Sequence, residues 1–300
     1  MRILVLGGTS FVGRAIVTQL LRRGHVVTLF GRGKTGPELF PGVERRIGDR
    51  GTGDYESLST GMWDAVVDVS AYLPRQVTQA MDALGDRVRR RYLFISTGSV
   101  YDYSQAPSHL DEDCPRLEPL RSTETIDGQT YGSLKVACED DVMARYANRA
   151  TIVRPGIVAG PNDPTDRFTY WVRAAAHGGR VEVPGRLEQP IQVVDADDLA
   201  VLVAELLAHD RPGIYNAVGR SVPFEDLIRA CAPPDVPLEL VEIPEGSAPM
   251  IMPGDELDIM FTRSAARARE AGMPQTPLAE TAAKVRAWDL ERGEPTLAGS

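Results

Sequence analysis

Short runs of apolar residues recur along the first 160 positions, separated by stretches in which apolar residues return every three or four positions. The runs predict buried strands, at 3–6, 26–30, 43–47, 65–69, 92–96 and 151–158. The helical spacing predicts helices after Gly7, around Val77 to Leu84 and over Tyr131 to Tyr146. Continuous apolar strands that alternate with helices are typical of a parallel sheet covered on both faces. The pattern therefore predicts a doubly wound α/β fold.

Beyond Gly160 the pattern loosens into turns rich in proline and glycine. One helix is predicted near 168–176, and strands are predicted near 192–194 and 213–218. Such composition is typical of a lid or a substrate lobe. We expect this smaller lobe to close over the carboxyl edge of the sheet.

Composition narrows the classes of function. The chain has 300 residues and a formal net charge of -9, whereas a protein that binds a phosphate backbone needs a basic face. We therefore expect no nucleic-acid partner. The three cysteines and four histidines lack the spacing of a metal site or a disulfide framework. No apolar run approaches about 18 residues, so we expect no membrane contact and a cytoplasmic location.

A glycine-rich turn, Gly7 to Gly13, joins the first strand to the first helix. A pyrophosphate is bound by backbone N–H groups at a helix N-terminus, and glycines allow its close approach. An ordinary tight turn is the alternative. Ser10 stands where the usual pattern has its middle glycine, so the phosphate contact there is expected to shift or to use the hydroxyl. The predicted cofactor contacts are Gly7, Thr9, Ser10, Phe11, Val12 and Gly13.

The end of the second strand discriminates between two dinucleotides. Enzymes that prefer NAD place Asp or Glu there, whereas guanidinium or ammonium groups attract the 2′-phosphate of NADP. Arg32 and Lys34 follow Gly31 at this point. We therefore expect NADP(H) as the preferred cofactor and NAD(H) as the other possibility. A pair of solvated loop cations is the alternative interpretation.

Tyr131 and Lys135 are four residues apart on a predicted helix and so lie on one face. An ammonium beside a phenol lowers the pKa of the phenol, so that Tyr131 can exchange a proton with a hydroxyl or a carbonyl. Thr97 follows a buried strand, at the sheet edge where ligands bind, and can hydrogen-bond the reacting oxygen. These three residues are the predicted catalytic set. A chance surface pair and a polar strand end are the alternatives.

These motifs, in this order, resemble the extended short-chain dehydrogenase/reductase family, also called the NAD-dependent epimerase/dehydratase family. The resemblance covers most of the chain and returns at 193–200. Within the family, the glycine turn and Leu29 to Lys34 are similar to an atypical branch that includes chloroplast stem-loop RNA-binding proteins. The resemblance implies that Tyr131 is the general acid/base, that Lys135 also holds the nicotinamide ribose, and that Thr97 replaces the catalytic Ser or Thr.

The resemblance implies further cofactor contacts, near the adenine amino group, after the fourth strand and beside the carboxamide. These are Asp49, Arg50, Ser70, Ala71, Pro155 and Gly156. We expect a Rossmann domain for NADP(H) in residues 1–156 plus 191–218, and a substrate-binding lobe in residues 157–190 plus 219–300. Family members often dimerise through the helix with the Tyr-Lys pair, so a homodimer is possible.

One departure from the family concerns the substrate. Relatives that act on nucleotide sugars usually carry an arginine for the diphosphate at the position of Ile191. We therefore expect a substrate without a nucleotide diphosphate, although Arg186 or Arg167 could substitute. Core packing of a helix is an equal alternative for Phe168 and Trp171, which could also wall the pocket. The candidate substrate contacts are Tyr72, Ser99, Phe168, Trp171, Arg186 and Gln192.

The expected function is an NADP(H)-dependent oxidoreductase that reduces a carbonyl or imine of a small metabolite, or oxidises the alcohol. The nearest alternative is an epimerase or dehydratase that keeps its NAD(P) tightly bound. A protein that binds a dinucleotide or RNA without catalysis is the alternative from another class. The catalytic set at Thr97, Tyr131 and Lys135 and the acidic composition argue against that last possibility.

Overall fold

The computed structural model describes residues 1–106, 110–244 and 246–298; His109, which has no predicted role, lies outside them. The strands are β1 Arg2–Leu6, β2 Val26–Gly31, β3 Glu44–Ile47, β4 Trp63–Asp68, β5 Val88–Ile95, β6 Ala150–Pro155, β7 Ile157–Ala159, β8 Gly179–Val183, β9 Pro190–Asp195, β10 Gly213–Ala217, β11 Ser221–Pro223 and β12 Leu238–Glu242. The helices are α1 Phe11–Arg22, α2 Pro74–Leu84, α3 Tyr131–Tyr146, α4 Arg167–His177, α5 Ala196–Ala208, α6 Phe224–Cys231, α7 Ala266–Glu270 and α8 Leu278–Glu291.

The main sheet has seven strands in the order β10-β6-β5-β4-β1-β2-β3. Every neighbouring pair in it is parallel. The chain reverses its direction of winding between β1 and β4, and the crevice at the carboxyl ends of strands at such a point is where doubly wound sheets bind ligands. The predicted Rossmann fold is confirmed.

Helices cover both faces of the main sheet, as the continuous apolar strands predict. On one face α1 packs against α5, and their apolar side chains form one core with inward residues of β1, β2 and β4. On the other face α2 and α3 pack together and complete a second core. Burial on both faces leaves the strand ends as the surface on which polar groups can gather.

The smaller lobe has its own apolar core. Helices α4, α6 and α8 pack against one another and against a three-stranded sheet of the order β11-β9-β7. Strands β8 and β12 form a separate parallel pair. Among the residues that the structure describes, no helix is long and apolar enough to cross a membrane.

The predicted strand over 151–158 is two strands that belong to different sheets. β6 ends at Pro155, and after Gly156 the chain continues as β7, which pairs with β9. Strand β9 therefore lies in the three-stranded sheet, and the chain returns through α5 to the main sheet at β10. The exact division into a cofactor domain and a substrate lobe stays a prediction.

Candidate active site

Two adjoining cavities lie at the carboxyl ends of the main-sheet strands. The first, of about 420 Å³, is lined entirely by residues between positions 7 and 76. The second, of about 510 Å³, lies between the main sheet and the smaller lobe. Gly7, Ser10, Ser70 and Tyr72 line both cavities. The two cavities therefore form one continuous cleft across the switch point.

The glycine turn between β1 and α1 is shaped by close backbone packing. Gly7 has a φ of +91°, and a Cβ there would lie 2.5 Å from the Cβ of Ser70. A Cβ at Gly13 would lie 2.0 Å from the carbonyl oxygen of Gly7. Side chains at these two positions are therefore excluded, which leaves the start of α1 open to the cleft. Ser10 caps this helix without a side-chain hydrogen bond to it, so its hydroxyl is not used by the cap.

Two cations predicted to select NADP(H) line the first cavity. Arg32 and Lys34 are exposed, and neither forms an ion pair or a side-chain hydrogen bond with any residue the structure describes. A third cation, Arg45, was missed by sequence reasoning; its guanidinium donates to the carbonyls of Leu39 and Gly36 and so holds the loop after Lys34. This end of the cleft is therefore rich in positive charge.

Arg50 also lines the first cavity, but its guanidinium is committed to the protein. It donates to both carboxylate oxygens of Asp68, over 2.5 and 2.7 Å, and to the carbonyl of Gln76 and the hydroxyl of Ser70. Asp68 is fully buried and also accepts a hydrogen bond from Tyr92. Arg50 therefore holds Ser70 in place at the edge of the cavity, and its own contact with a cofactor stays a prediction.

The other predicted cofactor residues divide into those that line the cleft and one that does not. Asp49 lines the first cavity, and its carboxylate accepts a hydrogen bond from the backbone N–H of Gly51. Ala71 is buried and lines neither cavity among the described residues, but its carbonyl accepts a hydrogen bond from Lys135. Five further predicted cofactor residues are among those that line the second cavity: Phe11, Val12, Gly13, Pro155 and Gly156.

Lys135 is buried, with only 2% of its surface exposed. Its ammonium donates to the carbonyls of Ala71 and Ile95, each over 2.8 Å, and lies 4.0 Å from the ring centre of Phe94. Burial lowers the pKa of Lys135 to about 8. The ammonium is therefore held rigidly beneath the floor of the second cavity.

Tyr131 begins α3 and faces the same cavity as Thr97 and Ser99. The Thr97 hydroxyl accepts from the backbone N–H of Ser99 over 3.1 Å and donates to the Ser99 hydroxyl over 3.2 Å. Burial raises the pKa of Tyr131, and a hydrogen bond with Thr97 opposes this effect. The predicted lowering of the phenol pKa by Lys135 is therefore wrong for this structure, because the ammonium is directed to backbone carbonyls.

Only some of the predicted substrate contacts line the second cavity. Tyr72 and Ser99 line the second cavity, and the Tyr72 ring lies 6.3 Å from that of Tyr131. Phe168 and Trp171 are buried in the core of the smaller lobe, which is the packing alternative given for them. Arg186 pairs with Asp258 instead of facing the cavity.

Gln192 is buried and lines neither cavity among the described residues. Its side-chain amide donates to the carbonyl of Arg263 and accepts from the N–H of Arg263. Its expected contact with substrate is thus replaced by a role in holding this distant segment.

Several residues of the second cavity escaped the sequence analysis. Asp163 is 2% exposed, its Oδ1 accepts from Thr165, and its Oδ2 is buried without a partner. Burial raises the pKa of this carboxyl. Asp163 lies four residues after the end of β7, which offered a weak signal in the sequence, whereas the sequence around Arg263 offered none. An apolar wall comes from Met250, Met252, Met260 and Phe261.

Comparisons with known proteins agree with this geometry. The chloroplast stem-loop binding protein of 41 kDa b from Arabidopsis thaliana is 27% identical over 249 residues, which span 77% of this chain and 62% of that protein. The dTDP-6-deoxy-L-talose 4-dehydrogenase (NAD(P)(+)) from Kitasatospora kifunensis is 25% identical over 279 residues, or 83% of this chain and 84% of that protein.

A solved structure of UDP-N-acetylglucosamine 4-epimerase from Bacillus cereus has the same fold, with a TM-score of 0.70 and 20% identity. The match covers 98% of this chain and 97% of that one. The sequence profile of the NAD dependent epimerase/dehydratase family matches residues 3–217, which is more than half of the chain. The predicted resemblance is confirmed: the chain belongs to the NAD dependent epimerase/dehydratase family, a family of oxidoreductases of the short-chain dehydrogenase type.

Proposed function

We propose that the protein is an NADP(H)-dependent oxidoreductase that reduces a carbonyl or imine of a small metabolite, or oxidises the corresponding alcohol. The observation that carries the proposal is the gathering of Thr97, Tyr131 and Lys135 at one cavity. The first cavity adjoins it and presents Arg32 and Lys34, two cations that pair with no carboxylate in the described part of the chain. The arrangement supports a dinucleotide bound across the switch point with its reacting end beside Tyr131.

The residues of the first cavity fit NADP(H). The glycine turn is a cradle that a Cβ at Gly7 or Gly13 would fill, and the start of α1 offers N–H groups to a pyrophosphate. Arg32 and Lys34 would hold the 2′-phosphate, because each is exposed and carries a charge that no described carboxylate neutralises. When bound, the cofactor supplies or accepts a hydride.

The chain's own residues then handle orientation and the proton. Tyr131 stays protonated at neutral pH because burial raises its pKa, so it can donate a proton to a substrate oxygen or nitrogen. Thr97 is held by Ser99 at a position from which it can orient the same atom. Lys135 keeps the two strand ends together through the carbonyls of Ala71 and Ile95.

A second candidate function is an epimerase or dehydratase, and Asp163 favours it. Its carboxyl lines the cavity of Tyr131 and has one buried oxygen without a partner. A carboxyl at this place could serve as a general acid or base toward a hydroxyl of the substrate, which a simple reductase does not require, and burial raises its pKa. A third possibility is RNA binding, suggested by the stem-loop binding in the name of the Arabidopsis relative; the net charge of -9 argues against it.

The first experiment is a mass-spectrometric search for nucleotide in the purified protein, followed by calorimetric titration with NADPH and NADH. A dissociable cofactor with clear preference for NADPH supports the reductase and justifies screening carbonyl and imine substrates. Retained NAD would favour the epimerase. Absence of binding to either nucleotide would contradict both enzymes and would turn attention to binding of RNA.

A further inference from the structure

A second buried cation, Arg263, lies in the wall of the cavity that holds Tyr131. Its guanidinium packs over Gly98, which follows β5, and over Gly156, which follows β6. A Cβ at Gly98 would lie 1.6 Å from Nη1 of Arg263, and a Cβ at Gly156 would lie 3.4 Å from Nη2. Gly98 directly follows Thr97, so the guanidinium lies beside the reacting end of the cleft. A side chain at position 98 would displace it.

The guanidinium of Arg263 has no partner among the described residues. Arg263 is only 5% exposed, its Nε is buried without a hydrogen bond, and no described carboxylate forms an ion pair with it. The backbone, in contrast, is clamped by the side chain of Gln192 through hydrogen bonds of 2.9 and 3.2 Å. A buried charge without a partner is costly, and this one is nonetheless held in place. Such a guanidinium is suited to bind a negatively charged group of a ligand.

Most charged side chains around the cavity are positive. Lys135 and Arg167 line it together with Arg263, and Asp163 is its one acidic member among the described residues. One oxygen of Asp163 is occupied by Thr165, so three cations face a single carboxyl whose hydrogen-bonding capacity is partly used. The cavity is therefore electropositive inside a protein of net charge -9.

We propose that Arg263 binds an oxyanion group of the substrate, a carboxylate or a phosphate, next to the atom that Thr97 and Tyr131 orient. The planar guanidinium can give such a group two parallel hydrogen bonds. The substrate is then an anionic carbonyl or hydroxyl compound whose charged group lies close to the reacting carbon. This assignment rests on the proposed function for the identity of the reacting end, but anion binding itself does not require turnover.

The test measures binding of oxalate and of inorganic phosphate by calorimetry, with the full chain and three variants. Arg263→Gln should weaken the binding of at least one probe tenfold or more. Arg263→Lys should bind the same probe severalfold more weakly than the parent, because an ammonium lacks the paired donors of a guanidinium. The matched control is Arg186→Gln, which removes an arginine that pairs with Asp258 outside the cavity and should bind as the parent does. Tighter oxalate binding assigns a carboxylate, and tighter phosphate binding assigns a phosphate.

Thermal unfolding provides a second measurement. Both probes should raise the Tm of the parent and of Arg186→Gln, and at least one should raise that of Arg263→Gln by clearly less; the phosphate that Arg32 and Lys34 can attract is the same in all variants. If Arg263→Gln does not fold, Arg263→Lys provides the test. Binding of the probes by Arg263→Lys as tight as by the parent would overturn the assignment. Binding that is absent from the parent, or equal in parent and Arg263→Gln, also overturns it.

The two proposals can fail separately. Loss of anion binding in Arg263→Gln without any nucleotide binding would contradict only the oxidoreductase. Nucleotide binding and a Tyr131-dependent turnover with unchanged anion binding in Arg263→Gln would contradict only the role of Arg263.

Discussion

The two ends of the cleft use positive charge in opposite ways. At the first cavity, Arg32 and Lys34 are exposed on a loop. At the second cavity, Lys135 and Arg263 are almost fully buried, and the backbone or side chain of each is fixed by hydrogen bonds to neighbouring strands. Exposed cations attract a charged group through water and tolerate variation in its place, since solvent screens them. Buried cations are screened less by solvent, but their desolvation is offset only by a partner in a well-defined position.

The difference teaches that the cleft separates affinity from chemistry. Loss of a group at the first cavity should change how tightly the cofactor binds, whereas loss of a group at the second should leave cofactor affinity nearly unchanged and alter substrate binding or turnover. The following variants test whether that separation holds.

The largest effect is expected at the reacting end. Tyr131→Phe removes the proton donor while keeping the ring, so turnover should fall by about 100-fold or more. The affinity for NADPH should stay within about twofold of the parent value, because the phenol lies at the second cavity. Steady-state kinetics and calorimetry measure the two quantities, and unchanged turnover would remove Tyr131 from the mechanism.

A side chain added to the glycine turn between β1 and α1 should have a smaller effect, on cofactor binding. Gly13→Ala places a Cβ 2.0 Å from the carbonyl oxygen of Gly7. The turn must shift to relieve this contact, and the shifted turn should bind the pyrophosphate less well. A loss of about 2 kcal/mol of binding free energy corresponds to roughly 30-fold weaker binding of NADPH and NADH alike. Gly128→Ala is the control, since no atom lies within 4 Å of its Cβ. Equal binding by the two variants would show that the turn does not hold the cofactor.

Arg32→Ala should distinguish the two cofactors. Loss of one charge-assisted hydrogen bond should weaken the binding of NADPH roughly tenfold. The affinity for NADH, which lacks the 2′-phosphate, should change by less than about twofold. The control is Arg220→Ala, an exposed arginine that lines neither cavity. The NADPH difference should shrink as salt is added. A matching loss for NADH would contradict the assignment of the 2′-phosphate.

The smallest effect concerns the protonation of Lys135. Its pKa is about 8 in the folded chain, below the value of about 10.4 for an unfolded chain. Between these values the unfolded state binds more protons, so the free energy of unfolding rises with pH. From pH 7.5 to 8.5 the parent should gain a little under about 1 kcal/mol relative to Lys135→Met.

Denaturant unfolding at both pH values measures this difference. Lys284→Met serves as the control, because Lys284 is paired with Asp195 and Asp197 and stays charged across this interval. A flat difference between the parent and Lys135→Met would contradict the lowered pKa.

Local patterns predicted most of the main sheet and the first cavity. The glycine turn and the strand that ends at Arg32 are contiguous in sequence, so spacing alone identifies them. The predicted strand over 151–158 failed at Gly156 because both halves are apolar, and periodicity does not indicate to which sheet a strand belongs. Phe168 and Trp171 were ambiguous for the same reason, since an apolar helix face can contact a ligand or a core.

The second cavity could be predicted only in part. Thr97, Tyr131 and Lys135 lie in recognisable local contexts, but Arg263 is more than 100 residues from any of them along the chain. Its role depends on the packing of the smaller lobe, and on Gln192, which fixes its backbone. The partnership of Arg50 with Asp68 was equally invisible, because an ion pair leaves no local spacing pattern.

The span of residues that line each cavity has a consequence for biosynthesis. All the side chains of the first cavity come from the first 76 residues, whereas the second cavity needs residues up to Arg263. A chain emerging from the ribosome therefore carries every lining residue of the first cavity while more than half of its translation is still to come. The group that we assign to the substrate is among the last parts of the cleft to be made, so a nascent chain cannot present a complete reacting end before its C-terminal segment has docked.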